Sequence, residues 1–149
     1  MANGLTLQVQ VVTTTGLIYE GEADEVVAPG SEGQLGILPR HAPLMTMLKV
    51  GALHIKHNGG EETLFVGGGF MEVSNNQVIV LADDAERAAD IDEARAEEAR
   101  RRAEEALATA ASDVDRAALE GQIERALGRL RVAEIQRHRR PRRELPSQG

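Results

Sequence analysis

Five charged residues in the second half of the sequence have the types and spacing of an anion-binding site. Arg95 follows Asp92 by three residues and precedes Arg102 by seven, so a helix would carry all three on one face. Arg125 and Arg129 are four residues apart and would share a face of a later helix. If these two helices run antiparallel, the four arginines can converge.

The chemistry available to this group is divided between donors and acceptors. Guanidinium groups offer paired N–H donors that match phosphate oxygens. The ionised carboxylates of Asp92 and of Glu86, which precedes it, can only accept hydrogen bonds. They would therefore suit an amino group or hydroxyl groups of a ligand and not its phosphates.

The same arginines have a simpler interpretation. An arginine at every third or fourth helical position, among glutamates, usually belongs to a solvated face with weak ion pairs. On spacing alone, the solvated face is the favoured interpretation. The glutamates concerned are Glu97, Glu98, Glu104, Glu105 and Glu124.

Other candidate sites carry little signal. His54 and His57 have no carboxylate or cysteine at metal-ligand spacing, so we predict no metal site. The glycines at 67–69 are not followed by Lys-Ser or Lys-Thr, which favours a bulge or a close backbone approach over a phosphate loop. No nucleophile, base and orienting group occur together, and we predict no catalytic residues.

The elements that must position the arginines begin at a boundary in residues 81–102. The run 77–82 has the length and composition of a buried strand. Beyond the boundary, alanines recur at spacings of three and four, as on a helix. Asp90 is the predicted N-cap of that helix, with Asp92 and Glu93 in its first turn.

Residues 1–87 have the pattern of an antiparallel β-sandwich or flattened barrel. Apolar and polar residues alternate over 5–11, which is typical of a strand with one buried face. Asn58-Gly59-Gly60 between two β-rich runs predicts a hairpin, and a second hairpin is expected at Ser74-Asn75-Asn76.

Residues 88–137 are predicted to form an antiparallel helical hairpin, so the fold class is α+β. The first helix should span 91–109, and a second should begin near Ser112. The first helix is alanine-rich and the second contains two glycines, so we expect the hairpin to be weakly held. The basic, proline-containing segment 138–149 is predicted to be a disordered tail. The apolar stripe of the second helix comprises Leu119, Ile123, Ala126, Leu127, Leu130 and Ala133.

Composition excludes several classes of protein. The chain has 149 residues, no cysteine and no apolar stretch of the roughly 18 to 20 residues that a spanning helix needs. Residues 1–90 carry 12 acidic and 4 basic side chains, a net charge of −8, whereas residues 91–149 carry 12 and 13, a net charge of +1. With no Trp, one Tyr and two Phe, the chain lacks stacking residues for nucleic acid, and we predict none as a partner.

Three motifs together resemble the epsilon subunit of bacterial F-type ATP synthases. They are PGSEGQLGILPRHAPL at 29–44, GGFMEV at 68–73, and VLA at 80–82 followed by AER at 85–87. The resemblance implies a non-catalytic rotor subunit of the central stalk that helps couple proton flow to ATP synthesis. Such a subunit would lie peripherally at the cytoplasmic face of the bacterial cell membrane, without direct membrane insertion.

The resemblance also assigns roles to the two domains. The sandwich would bind the gamma subunit and the c-subunit ring, with a partner-binding tip at Glu32, Gln34 and His41. The hairpin would extend into the catalytic alpha/beta head and inhibit ATP hydrolysis.

A finer resemblance concerns ATP. Ile91-Asp92-Glu93-Ala94-Arg95-Ala96 is similar to the I/L-D-x-x-R-A motif with which some epsilon subunits bind ATP on the folded hairpin. It implies ATP as a regulatory ligand, with or without magnesium, and no catalytic cofactor. The alternative is a purely structural stalk subunit without ATP sensing. The implied ATP-binding residues are Glu86, Ile91, Asp92, Arg95, Ala96, Arg102, Arg125 and Arg129.

Overall fold

The computed structural model describes the backbone of residues 5–144 and the side chains of residues 5–139. The chain divides into two compact units, of which the first ends at Arg87 and the second begins at Ala88. The first unit is built from strands and the second from helices, in agreement with the predicted α+β class.

Eight strands form the first unit, in one continuous sheet with the order β2-β1-β7-β6-β5-β3-β4 and with β8 paired to β6. Neighbouring strands are antiparallel except β1 and β7, which are parallel. The sequence predicted an antiparallel sandwich and did not indicate this parallel pair. The strands are β1 (Leu7–Thr13), β2 (Gly16–Ala23), β3 (Glu25–Gly30), β4 (Gly33–Ile37), β5 (Leu44–His57), β6 (Gly60–Ser74), β7 (Gln77–Ala82) and β8 (Ala85–Arg87).

The sandwich core comes from alternate residues of these strands. Leu7, Val9 and Val11 of β1 are fully buried, as the period-two pattern predicts, and Val78 and Val80 of β7 are buried beside them. The long strands β5 and β6 pair with each other along their whole length. Beyond that pairing, the first part of β6 carries β8 and its last part carries β7, so β6 joins the two layers.

Glycines at 68 and 69 allow β6 to pass from one layer to the other. Both have positive φ, of 104° and 129°. A Cβ on Gly69 would lie inside contact distance of the Leu81 carbonyl oxygen and 2.8 Å from the Cα of Ala82. The prediction that this glycine run serves a close backbone approach is confirmed.

The predicted hairpin turns are also confirmed. Asn58 and Gly59 connect β5 to β6 with φ of 51° and 81°. Asn75 and Asn76 connect β6 to β7 with φ of 51° and 60°. Asparagine and glycine adopt positive φ at low cost, so the turn residues fix where each strand ends.

The second unit begins with a short 3-10 helix, Ala88–Asp90, followed by α1 (Glu93–Leu107). The prediction that Asp90 caps α1 is wrong, because Asp90 belongs to the 3-10 helix. Asp92 is the N-cap: its backbone is extended, and its carboxylate accepts a hydrogen bond of 3.1 Å from the Arg95 backbone N–H.

The second helix, α2 (Asp113–Glu144), begins where the sequence predicts. The Ser112 hydroxyl oxygen accepts a hydrogen bond of 3.1 Å from the backbone N–H of Asp115. The helix continues to Glu144, past the expected end near 137 and through Pro141, which disfavours a helix interior. Helical backbone over 138–144 replaces the disorder expected there, and residues 145–149 lie outside the described part of the chain.

The buried side chains of the hairpin are small. In α1 they are Ala96 and Ala103, and in α2 they include Ala126, Val132 and Ala133. Leu127, which the sequence placed in the apolar stripe, is exposed, and Val132 is buried instead.

Replacing Gly69 with alanine should destabilise the sandwich far more than replacing Gly16 with alanine. Both glycines have φ near 130°, but a Cβ at Gly16 meets nothing within 4 Å. Gly16→Ala should cost the backbone strain alone, about 1–2 kcal/mol. Gly69→Ala should add the clash with the Leu81–Ala82 backbone and lower the free energy of unfolding by roughly 3 kcal/mol or more. Urea unfolding followed by circular dichroism measures both, and equal losses would contradict the close approach.

Candidate functional site

The predicted ATP-binding motif occupies the start of α1. Asp92 and Arg95 are exposed, Ile91 is half-buried and Ala96 is buried. One carboxylate oxygen of Asp92 accepts the capping hydrogen bond, and the other remains available. The backbone oxygen of Asp92 accepts a hydrogen bond from the Ala96 N–H at 3.1 Å. The motif is therefore a helix start that presents an arginine to solvent one turn after its N-cap.

The next turns of α1 carry two ladders of ion pairs. Arg100 contacts Glu97 and Glu104, and Arg101 contacts Glu98 and Glu105. Hydrogen bonds from Arg100 and Arg101 lower the pKa of Glu97 and Glu98 respectively. All these groups lie on the exposed surface, so this part of α1 is the solvated, ion-paired face that spacing alone favours.

The four predicted arginines differ in what they contact. Arg102 is 72% exposed and contacts Glu98 at 3.2 Å. Arg125 is half-buried, and its Nη1 atom would lie 3.4 Å from a Cβ placed on Gly121. Arg129 is also half-buried. Within residues 5–139, the guanidinium groups of Arg95 and Arg125 form no ion pair.

An ion pair between the helices shows their register. Arg137 on α2 contacts both carboxylate oxygens of Glu93 on α1, at 2.5 and 2.6 Å. Glu93 holds the pKa of the Arg137 guanidinium above its usual value through this hydrogen bond. In an antiparallel pair, a residue a given number of positions after Glu93 on α1 lies level with the residue the same number of positions before Arg137 on α2.

This register brings three of the four arginines to a similar height along the hairpin. Arg102 lies nine residues after Glu93, level with position 128 and next to Arg129, and Arg125 lies less than one turn away. Arg95 is seven residues from Arg102, about 10 Å along the axis at 1.5 Å per residue. The remaining candidate, Glu86, is half-buried on β8 in the first unit, opposite Phe65 of β6.

The predicted partner-binding tip is divided between two loops. Glu32 is exposed in the turn between β3 and β4, and Gln34 is exposed on β4. His41 lies in the connection from β4 to β5, where its Nδ1–H donates to the Ala42 carbonyl oxygen at 2.7 Å. Neither a hydrogen bond nor an ion pair joins His41 to Glu32 or Gln34 in the part of the chain that the structure describes.

The sequence analysis missed an apolar row on the outward face of the sandwich. Pairing across five strands places large apolar residues directly opposite one another, and four of the five are about half exposed. Met47 is 56%, Phe70 48%, Leu81 56% and Leu17 54% exposed. A signal was present, because β5 and β7 are apolar at outward as well as inward positions, unlike a strand with one solvated face. We define the apolar row as Met47, Phe70, Leu81, Val12 and Leu17.

Two further properties bear on the predicted classes. No group of three His, Asp or Glu side chains among the described residues could hold a metal ion. None of the helices in residues 5–144 is long and apolar enough to cross a membrane.

Both units match models of known protein families. Residues 6–88 match the β-sandwich domain of the ATP synthase delta/epsilon chain. Residues 89–134 match the long α-helix domain of the same chain.

Individual relatives agree over most of the chain. The ATP synthase epsilon chain of Acidithiobacillus ferridurans is 48% identical over 130 residues, which cover 87% of this chain and 92% of the relative. That of Herpetosiphon aurantiacus is 47% identical over 135 residues, covering 91% and 99%.

A solved structure shares the fold. A chain in the Euglena gracilis mitochondrial ATP synthase, OSCP/F1/c-ring, has a TM-score of 0.73 at 18% identity and covers 88% of this chain and 82% of its own. The two family domains together span nearly all the described residues. The chain therefore belongs to the delta/epsilon chain family of ATP synthase, as a non-catalytic subunit of the central stalk.

Proposed function

We propose that this chain links the gamma subunit to the c-subunit ring in the rotor, and so helps to couple proton flow to ATP synthesis. The observation that carries the proposal is the family match over both domains. The chain would act from the cytoplasmic face of the bacterial cell membrane as a peripheral subunit. It would not insert into the membrane or bind nucleic acid.

The apolar row supports a protein partner on the outward face of the sandwich. Contiguous exposed apolar side chains on a soluble domain mark interaction surfaces. Aromatic and methionine side chains such as Phe70 and Met47 are enriched in the buried centres of such surfaces. We assign this face to the gamma subunit.

The tip residues suit a different neighbour. Glu32 and Gln34 are exposed polar side chains on and beside a tight turn, which fits contact with the polar loops of the c ring. His41 lies on the connection that leads into β5, the strand that carries Met47. This division gives gamma an apolar face and the c ring a polar turn.

Replacing Phe70 with serine should weaken binding to gamma without unfolding the sandwich. The fold buries about half of the side chain, so its replacement should be tolerated. Burial of the other half at an interface contributes about half of a full phenylalanine burial, about 0.75–1.5 kcal/mol, or roughly a four- to twelvefold rise in Kd. The measurement is titration of a gamma-containing head complex that lacks this subunit.

Leu5→Ser is the matched control for Phe70→Ser. Leu5 is also an exposed large apolar residue, but it precedes β1, at the end of that strand opposite Val12. Its replacement should leave the Kd unchanged. Equal affinities of the wild type and Phe70→Ser would remove the apolar row from the gamma interface.

We further propose that the hairpin changes position and inhibits ATP hydrolysis by extending into the alpha/beta head. The small buried side chains support this, because each alanine methyl contributes at most about 0.8 kcal/mol to helix packing. The start of α2 is also fully exposed over residues 113–118, so it is held by few contacts. A hairpin of this composition can separate at modest cost.

Deleting the chain from Ile91 onward should raise ATP hydrolysis by the assembled enzyme at low ATP. The deletion removes both helices and leaves the sandwich complete through β8. ATP synthesis driven by an imposed proton gradient serves as the control and should persist, since the sandwich retains its partner surfaces. An unchanged hydrolysis rate would remove the inhibitory role.

The third part of the proposal is that ATP binds the folded hairpin, with or without magnesium. Arg95 and Arg125 support it because neither guanidinium is engaged in an ion pair with another described residue. Arg102 would exchange its exposed ion pair with Glu98 for a phosphate contact. The exchange costs little because such exposed pairs contribute about 1 kcal/mol or less. Arg129 completes the phosphate contacts, and Glu86, Ile91, Asp92 and Ala96 would surround the base and ribose.

Such a site would make ATP a ligand of one conformation. A ligand shifts an equilibrium only by its differential affinity for the two states. ATP that binds the folded hairpin alone would therefore oppose the inhibitory, extended state. The alternative is a purely structural stalk subunit, in which the arginines form a solvated face.

Arg95→Ala should weaken ATP binding about ten- to hundredfold. The change removes a charge-assisted contact of about 1.5–3 kcal/mol without breaking any ion pair of the free protein. Isothermal titration calorimetry at one fixed salt and magnesium concentration measures the affinity. The matched control is Arg101→Ala, a neighbouring exposed arginine that is engaged with Glu98 and Glu105 and lies outside the proposed site.

The two interpretations of the arginines predict different titrations. The ATP site requires saturable binding by the wild type and by Arg101→Ala, and weaker binding by Arg95→Ala. A wild-type titration that stays flat at millimolar ATP would contradict ATP sensing, and the interpretation as a purely structural stalk subunit would remain.

A further inference from the structure

One residue of the sandwich adopts a backbone conformation that its type disfavours. Four non-glycine residues in the described chain have positive φ, and three of them are asparagines: Asn58, Asn75 and Asn76. The fourth is Arg40, with φ of 72°. Asparagine and glycine tolerate this region, whereas a long side chain pays a steric cost there. Arginine at this position therefore needs a reason.

The fold does not supply that reason. The backbone N–H of Arg40 donates to the Asn76 side-chain oxygen at 2.6 Å, and the neighbouring His41 N–H donates to the Leu38 carbonyl oxygen at 3.1 Å. Both bonds use backbone donors of this loop, so glycine or asparagine at position 40 would keep them. The guanidinium group is not required to hold the loop.

The Arg40 side chain is exposed and forms no ion pair with any other described residue. Of the three other cations of the sandwich, Lys56 contacts Glu25 at 3.7 Å, and Arg87 contacts Glu62 at 3.6 Å and lies over the Tyr19 ring. Lys49, like Arg40, is exposed and forms no ion pair with a described residue. Residues 1–90 carry a net charge of −8. Arg40 is a cation held at an energetic cost within an acidic unit.

Its position connects it to the outward face. Arg40 lies in the loop that enters β5, and its backbone is bonded to the turn between β6 and β7. These strands carry Met47, Phe70 and Leu81, three neighbouring members of the apolar row. Arg40 stands beyond the end of these strands, separated from the row by two rows of outward-facing residues, Met45–Glu72–Ile79 and Ser74–Gln77. Charged residues commonly surround an apolar interface in this way.

We propose that Arg40 is a partner-recognition residue whose guanidinium binds a carboxylate of the gamma subunit beyond the end of the strands that present the apolar row. Guanidinium pairs with carboxylate through two parallel hydrogen bonds, which fixes orientation as well as adding affinity. Strained backbone conformations of this kind are found preferentially at binding sites. The inference rests on the proposed function, because it takes gamma as the occupant of this face.

Two substitutions at this position should change stability and binding in opposite directions. Arg40→Gly and Arg40→Asn relieve the strain, so the unfolding temperature of the full chain should not fall and should rise by up to about 5 °C for glycine. The same variants should bind a head complex that contains gamma, but no c ring, about tenfold more weakly. The wild type should lose affinity with added salt more steeply than either variant.

Two controls separate strain from recognition. Asn58→Gly makes the same kind of backbone change in the turn at the other end of β6, and it should leave affinity and salt dependence unchanged. Arg40→Lys keeps the positive charge and should retain most of the salt dependence, while losing the paired geometry.

The outcomes decide the inference separately from the proposed function. If the wild type binds and Arg40→Gly and Arg40→Asn bind equally well, the recognition role is overturned and the proposed function stands. If the Arg40 variants lose affinity only for the c ring, gamma is the wrong occupant and the inference falls. A wild type that does not bind the gamma-containing complex would overturn both.

Discussion

The sandwich depends on one close approach between backbones. At Gly69, β6 passes so near the Leu81–Ala82 backbone of β7 that no side chain fits between them. This contact lets β6 pair with β8 at its start and with β7 at its end. Because β6 joins the layers, the same strand contributes Phe65 and Val66 to the buried interior and Phe70 to the outward face. The surface for a partner is thus fixed by the constraint that closes the core.

The two units are stabilised in different ways. The sandwich buries leucine, isoleucine, valine and methionine in one cluster, whose close packing makes any displacement of a strand costly. The hairpin buries mainly alanine and valine and adds exposed ion pairs, each of which contributes 1 kcal/mol or less. A tightly packed sandwich and a loosely packed hairpin therefore follow from composition, and they suit the partner contacts and the conformational change proposed for them.

Much of this fold could be predicted from the sequence, because local signals were strong and mutually consistent. Asn58-Gly59 and Asn75-Asn76 specify turns through their tolerance of positive φ. The N-cap was misassigned because Asp90 and Asp92 are equally good caps by type, and only the intervening 3-10 helix decides between them. The outward apolar residues of β5 and β7 were visible in the sequence, but their alignment into one row with Phe70 follows only from the register between strands.

The candidate ATP site was harder to predict, for a physical reason. Spacing along one helix identifies a shared face, but convergence of two helices depends on their register, which the Glu93–Arg137 contact reveals only in the structure. In that register, Arg102, Arg125 and Arg129 lie at similar positions along the hairpin axis, and Arg95 lies about 10 Å from them along the same axis. Sequence type also cannot show which arginines are already engaged, as Arg100 and Arg101 are.

The weakness of the hairpin bears directly on how a small ligand could control it. A ligand at a hundred times its Kd stabilises the state it binds by about 2.7 kcal/mol. Burial of a few alanine methyls, at about 0.8 kcal/mol each, is of the same order. Had the hairpin been packed with leucine, no ligand of ordinary affinity could shift its position appreciably. If ATP binds the folded hairpin as proposed, alanine at Ala96, Ala103, Ala126 and Ala133 would keep the folded and extended states close enough in free energy for the ligand to shift the balance between them.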